Sequence, residues 1–518
     1  MNGAESLVKT LLLNGVDTVF ANPGTSEMHF VAALDAHPEM KCTLCLFEGG
    51  TTGAADAYYR MKRDVAGTLL HLAPGFGNAF ANIHNARKAN SGMLNIVGDH
   101  ATHHLRYESP LKGDITGISQ AVSHWTRLSP DAASVAGDGA EGIRAARSLN
   151  GQIATLILPA NTAWDDASGP AKCLPPTALT RPDPSLIEAA AARLSAKGAA
   201  LLIGGEALFG ELRALAGQIA AHTGCRLMAD TLIPRIAKGS GTAKLDQLVY
   251  PVTPKIAQLA QTQSITLIGT DRPVAFFAYP EKPSVPEPAG CIIDALCTPT
   301  MDIAWTLQAL ADAVGVTGKT KAEAYSLALP DLPDGDLTLA KVGQALAALL
   351  PENAIICNES VTSGGHVMPP TLTARPHDVL SGTGGAIGLC LPAASGAAIA
   401  CPDRKVIALT GDGSAMYTLQ SLWTMAREGL DVTVIVFANR GYQILRDELT
   451  NVGVNSYGAN AQAMFDVEKP VLDWVALAKG HGVPGTRVDT MEGFVKSLKA
   501  GLDSDGPSLI EVICPANV

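Results

Sequence analysis

The chain has 518 residues, 47% of them hydrophobic and 17% charged, and its 49 acidic and 38 basic side chains give a formal net charge of -11. At about 150 residues per domain this length fits three domains, and the apolar content excludes a disordered chain. No Lys/Arg run marks a nucleic-acid surface, and no apolar run reaches the ~20 residues that span a bilayer. An acidic protein that binds an anion needs a local cation, which a metal ion would supply.

The first residues carry helically spaced apolar side chains interrupted by Glu5 and Lys9, unlike a secretory leader. Short apolar runs then alternate with helical stretches. The runs are Thr18–Ala21, Thr43–Phe47, Thr68–Leu72, Leu94–Val97 and Ala154–Leu158, with helices expected near 3–13, 25–36, 51–63 and 77–90. Continuous apolar strands predict a parallel sheet covered by helices on both faces. Cys42 and Cys45 form a C-x-x-C inside such a run, with no second pair to complete a zinc site. The pair reads as part of a buried strand, and ten scattered, reduced cysteines suit a cytoplasmic protein.

The Pro-rich stretch Leu174–Pro184 reads as a linker. A second alternating unit follows, with strands expected at Ala199–Ile203, Arg226–Ala229, Ile265–Ile268 and Cys291–Ala295. Gly204-Gly205 does not complete a G-x-G-x-x-G, so a bound flavin (FAD) is not favoured. After a second linker, Leu329–Gly335, a third unit has strands expected at Ala354–Cys357, Lys405–Leu409, Thr433–Phe437 and Ser508–Val512. The expected architecture is three open, parallel-sheet α/β domains at 1–172, 185–328 and 336–518.

Lys405–Leu409 leads into Gly411-Asp412-Gly413-Ser414, a helix is expected near 416–429, and Val432–Ala438 ends on Asn439. In one βαβ unit both strands point the same way, so Asp412 and Asn439 share the carboxyl edge where ligands bind. A carboxylate and an amide oxygen there suit Mg2+ holding phosphate oxygens, and amides after Gly411 can bind the same phosphates.

This motif resembles that of thiamine-diphosphate (ThDP) enzymes, which begins Gly-Asp-Gly and ends Asn-Asn; Ala438 replaces the first Asn here. The resemblance implies metal ligation by Asp412, Asn439 and the carbonyl of Gly441, with Gly411, Gly413, Ser414 and Tyr442 around the cofactor. Gly15–Gly24, Glu48 with Gly49-Gly50, and Ala54–Tyr58 resemble the N-terminal domain of the decarboxylase and acetolactate synthase superfamily, whose matching Glu activates ThDP. Glu48 is placed at the exposed end of the strand Thr43–Phe47. Gly384-Gly385-Ala-Ile387-Gly388 and Asn358–Ser363 also match. They imply that Gly385 and Ile387 support the bent cofactor and that Thr362 and Ser363 meet its diphosphate. The three domains then become pyrimidine-binding, nucleotide-fold middle and diphosphate-binding units.

Within the superfamily, Asn22-Pro-Gly-Thr25-Ser-Glu27 and His71-Leu-Ala-Pro-Gly75-Phe-Gly-Asn78 resemble benzoylformate decarboxylase. This implies Thr25 in a pocket serine's place and His71 as an active-site histidine; the second pocket histidine has no counterpart, and Pro273–Tyr279 offers aromatics there. Pro110-Leu111 replaces the Phe-Gln of acetolactate synthases. His103-His104 reads as surface or pocket rim, and Arg446 could meet a substrate carboxylate or be a surface residue. The resemblance implies a 2-oxo acid decarboxylase with carboligation as a second outcome, acting as a homodimer or homotetramer with active sites between subunits. The alternatives are an acetolactate synthase-type carboligase and an inactive cofactor-binding subunit.

Overall fold

The computed structural model describes residues 1–515. Its first sheet comprises β1 (Thr18–Ala21), β2 (Lys41–Leu44), β3 (Ala66–Leu70), β4 (Met93–Asp99), β5 (Trp125–Leu128) and β6 (Ile153–Pro159). These pair in parallel in the order β2-β1-β3-β4-β6-β5. Strands β1, β3, β4 and β6 are buried throughout, as their unbroken apolar runs require. The expectation for Cys42 does not hold. β2 is the edge strand and stops at Leu44, so Cys42 is exposed while Cys45 is buried beyond the strand. All ten cysteines are free.

The second sheet joins β7 (Ala199–Ile203), β8 (Arg226–Ala229), β10 (Asp246–Gln247), β11 (Ser264–Ile268) and β12 (Ile292–Cys297), all parallel, in the order β10-β8-β7-β11-β12. The third holds β13 (Ala354–Glu359), β14 (His377–Ser381), β15 (Val406–Gly411), β16 (Val432–Ala438), β17 (Gly485–Val488) and β18 (Ser508–Ile513). Its order is β17-β18-β16-β15-β13-β14-β9. Its one antiparallel member, β9 (Arg235–Lys238), comes from the middle stretch of the chain and pairs with β14.

The three sheets are tied together by charge as well as packing. The helix Glu48–Lys62 lies against the helix Cys390–Ala400, and so closely that a methyl group on Gly396 would sit 1.9 Å from the Ala54 carbonyl oxygen. Arg60, on the first of these helices, is buried against Asp56 and also donates to the carbonyls of Pro234 and Ser381. One guanidinium thus joins the N-terminal unit to the middle stretch of the chain and to the third sheet. Arg235 and Arg404 share Asp378 beside it.

Candidate active site

β1, β3 and β4 are parallel neighbours, so residues just past their carboxyl ends converge. Thr25–Glu27 forms a 3-10 turn after β1, His71 follows β3, and Gly98-Asp99 closes β4. Glu27 is buried, and its Oε2 lies 2.9 Å from Nδ1 of His71 while accepting the Gly24 N–H at 2.8 Å; Oε1 accepts from Ser26 Oγ. Such a carboxylate fixes the imidazole's tautomer, and the His71 side chain keeps 22% of its surface exposed. Thr25 is exposed at the rim of the turn. The sequence showed Glu27 inside the Asn22–Glu27 segment, but its pairing with His71 required the adjacency of β1 and β3.

Glu48 is not at an exposed strand end. It opens the helix Glu48–Lys62, four residues past β2, and is 6% exposed. The helix Leu72–Lys88 packs over it, and Asn78 Nδ2 donates to its Oε2 at 3.0 Å. Small residues make this crowding possible. A methyl group on Gly98 would lie 1.8 Å from Glu27 Oε1, one on Gly24 2.0 Å from His71 Nδ1, and one on Gly75 2.9 Å from Glu48 Oε1.

A second cluster sits at the carboxyl edge of the third sheet, where Gly411 of β15 pairs with Phe437 of β16. Asp412 and Asn439 are buried there. Asp412 Oδ1 accepts the Gly413 N–H at 2.8 Å, Oδ2 accepts the Arg440 N–H at 2.7 Å, and Asn439 Oδ1 accepts the Gly441 N–H at 3.4 Å. Burial pushes the Asp412 carboxyl up to about 6, and Glu511 adds to the effect. The expected helix 416–429 starts only at Ser421; a short turn, Asp412–Ala415, comes first and holds Gly413 and Ser414, with Gly411 at its cap. Tyr442 lies over that turn, since a methyl on Gly413 would fall 2.5 Å from its ring. Thr362 and the buried Ser363 begin the helix Val361–Val367 after β13 at the same edge.

The Gly384–Gly388 turn lies against the N-terminal unit. Asn85 Nδ2 donates to the Ala386 carbonyl at 2.9 Å, and Thr383 Oγ1 donates to the Asn85 carbonyl at 2.8 Å. Ile387 is half-buried in this turn. Gly385 is left-handed at φ +77° and faces the Phe276 ring, 2.8 Å from a methyl placed there. Tyr279 Oη and Tyr250 Oη both donate to Glu448, at 2.9 and 3.3 Å. Arg446 pairs with Asp466 at 2.9 Å. His103 and His104 are exposed after β4, with the His104 ring between those of His100 and Tyr107. No hydrogen bond or ion pair joins Glu27, Glu48 or His71 to Asp412, Ser414 or Tyr442 within the described residues of one chain.

Left-handed backbone recurs at these strand ends. Leu72 follows His71 at φ +51°, Val361 precedes Thr362 at +44°, and Arg440 follows Asn439 at +58°. Non-glycine residues held there cluster at functional sites.

Comparison with known proteins agrees with this geometry. The N-terminal TPP binding domain of thiamine pyrophosphate enzymes matches residues 1–123 and the C-terminal TPP binding domain residues 363–512. The IlvX protein of Mycobacterium tuberculosis, provisionally named an acetolactate synthase large subunit, is 46% identical over 519 residues, spanning 100% of both chains. A benzoylformate decarboxylase of Pseudomonas aeruginosa is 27% identical over 96% of each. A solved structure, the thiamine diphosphate-dependent 4-hydroxybenzoylformate decarboxylase of Rhodococcus jostii RHA1, shares the fold with a TM-score of 0.84 at 23% identity over 99% of each chain. The chain belongs to the thiamine pyrophosphate enzymes, in the family of the 2-oxo acid decarboxylases and acetolactate synthases.

Proposed function

We propose that the protein is a ThDP- and Mg2+-dependent 2-oxo acid decarboxylase of the benzoylformate decarboxylase type, with carboligation as a second outcome. The observation that carries this reading is the Glu27–His71 pair beside Glu48 at one sheet edge.

The residues fit the cofactor and its metal. Asp412, Asn439 and the Gly441 carbonyl form an all-oxygen donor set suited to a hard cation. A buried carboxylate whose proton affinity is raised by desolvation gains from such a cation. Among the described residues no three His, Cys, Asp or Glu side chains form an alternative metal cluster. Gly413 and Tyr442, which lie against each other, would line the diphosphate.

When bound, ThDP supplies a nucleophilic carbon and an electron sink for carbon dioxide loss. The side chains do the rest. Glu48, buried and bonded by Asn78, is placed to hold a proton against the cofactor's pyrimidine. Glu27 orients His71 so that Nε2 takes and returns protons at the substrate-derived oxygen and carbon. Ile387, half-buried in the Gly384–Gly388 turn, would support the bound cofactor. Membership of this superfamily supports a homodimer or homotetramer with active sites completed between subunits.

An acetolactate synthase-type carboligase is the second reading, favoured by the name of the 46% identical relative. Against it, Leu111 is half-buried against the apolar cluster that includes Leu72 and Phe76 rather than offering an amide. A panel of aryl and alkyl 2-oxo acids, followed by released carbon dioxide and by product analysis, tests the choice. Aldehyde as the main product is expected. Acetolactate from pyruvate with no aldehyde from any acid would replace the first reading with the second.

A further inference from the structure

Glu359 is the last residue of β13 and pairs with Thr410 of β15, two residues ahead of Asp412. Its side chain crosses to the turn that carries Ile387. Oε1 accepts the Leu389 N–H at 3.0 Å, and the amides of Gly388 and Cys390 also point at the carboxyl. Its Oε2 is buried without a partner, although the residue as a whole is half-buried. A small cavity beside it is bounded by Arg60, Asn358, Ser381 and Gly382. The Arg60 guanidinium is already spent on Asp56, Pro234 and Ser381, so it does not serve as a counter-ion.

We propose that Glu359 is a positioning residue for the cofactor: it fixes the Gly384–Leu389 turn, and with it Ile387, and it does so as an uncharged acid when the diphosphate is bound. The inference rests on ThDP being the ligand of this edge. An unpartnered, desolvated carboxylate oxygen is costly, whereas a protonated carboxyl keeps one oxygen for the Leu389 amide and turns the other into a hydroxyl. Burial pushes the Glu359 carboxyl up to about 7, outweighing the Leu389, Gly388 and Cys390 amides, which favour the charged form. The other titratable groups facing it are the buried thiols of Cys357 and Cys390, themselves held neutral by desolvation.

The test is calorimetric binding of ThDP with Mg2+ to the intact protein at pH 6 and pH 8, for wild type, Glu359→Gln and Glu359→Ala. Glutamine keeps the acceptor for Leu389 and never ionises, so Glu359→Gln is expected to bind within roughly threefold of wild type at pH 6. A group titrating near 7 is about ten parts ionised to one at pH 8, so wild type should lose roughly tenfold more affinity than Glu359→Gln over this range. Protonation of the cofactor and of Asp412 is common to both proteins and cancels in the comparison. Glu359→Ala should bind at least roughly tenfold more weakly at both pH values, since the turn is then untied. Equal pH dependence in wild type and Glu359→Gln overturns the proposal, and so does wild-type affinity in Glu359→Ala. Should Glu359→Ala fail to fold, the glutamine comparison alone decides. Wild type that takes up no ThDP at either pH overturns the proposal together with the reading it rests on.

Discussion

Nδ1 of His71 lies 2.9 Å from Oε2 of Glu27, and the two residues sit past the ends of neighbouring parallel strands. The carboxylate is buried and the imidazole partly exposed, so the acid is locked while the base keeps an open side. Replacing Glu27 by Gln keeps the shape but lets the amide donate to Nδ1, which favours the other tautomer. Turnover is expected to fall by about 10²-fold or more, the scale of one general acid–base contribution, with ThDP affinity unchanged. Steady-state kinetics and calorimetry on the same preparation check this. Wild-type turnover in Glu27→Gln would separate the pair from proton transfer.

Glu48→Gln and His71→Ala should part company in hydrogen–deuterium exchange at the cofactor's C2. Glutamine fits the buried Glu48 site and retains an oxygen for Asn78, so the fold is kept, yet it supplies no acid proton. Exchange is expected to slow by ~10²-fold or more in Glu48→Gln, while His71→Ala exchanges near the wild-type rate and is slow only in turnover. Fast exchange in Glu48→Gln would take that residue out of activation.

Asp412→Asn retains the size of the side chain but loses the charge that a divalent ion needs. Addition of Mg2+ should then leave ThDP affinity unchanged, whereas wild type gains at least roughly tenfold. A magnesium titration read by calorimetry distinguishes the two. An equal gain in Asp412→Asn would move the metal elsewhere.

Arg60→Met should destabilise the protein by about 3–5 kcal/mol, because Asp56 is left as a buried charge with, among the described residues, only Ser91 as a close partner. Adding Asp56→Asn should recover part of the loss. Urea unfolding midpoints measure both. A loss below roughly 1 kcal/mol in the single variant would mean that the three units are joined mainly by apolar packing.

The β15–β16 site was legible in the sequence for a physical reason. Two apolar strands joined by one helix must be parallel, so Asp412 and Asn439 had to share an edge. The N-terminal site was legible only as separate residues. Glu48 and His71 stand at strand or helix ends, but the burial of Glu48 comes from a helix starting 24 residues later, and the partner of His71 from a strand more than 40 residues earlier. β9 was hidden for the same reason: four ordinary residues, Arg235–Lys238, become a strand only because β14 offers an edge. Cys42 misled because an apolar run cannot show whether its strand lies inside a sheet or at its border.

Val361 is a β-branched residue at φ +44° and is 48% exposed. Holding it there costs on the order of 1–2 kcal/mol, and little apolar burial is regained. For an engineer seeking a heat-tolerant catalyst this is an opening with a trade-off attached. Glycine at 361 would release the strain, but it would also loosen the turn that sets Thr362 and Ser363. Gains in shelf life and losses in cofactor retention are therefore coupled through a single backbone torsion.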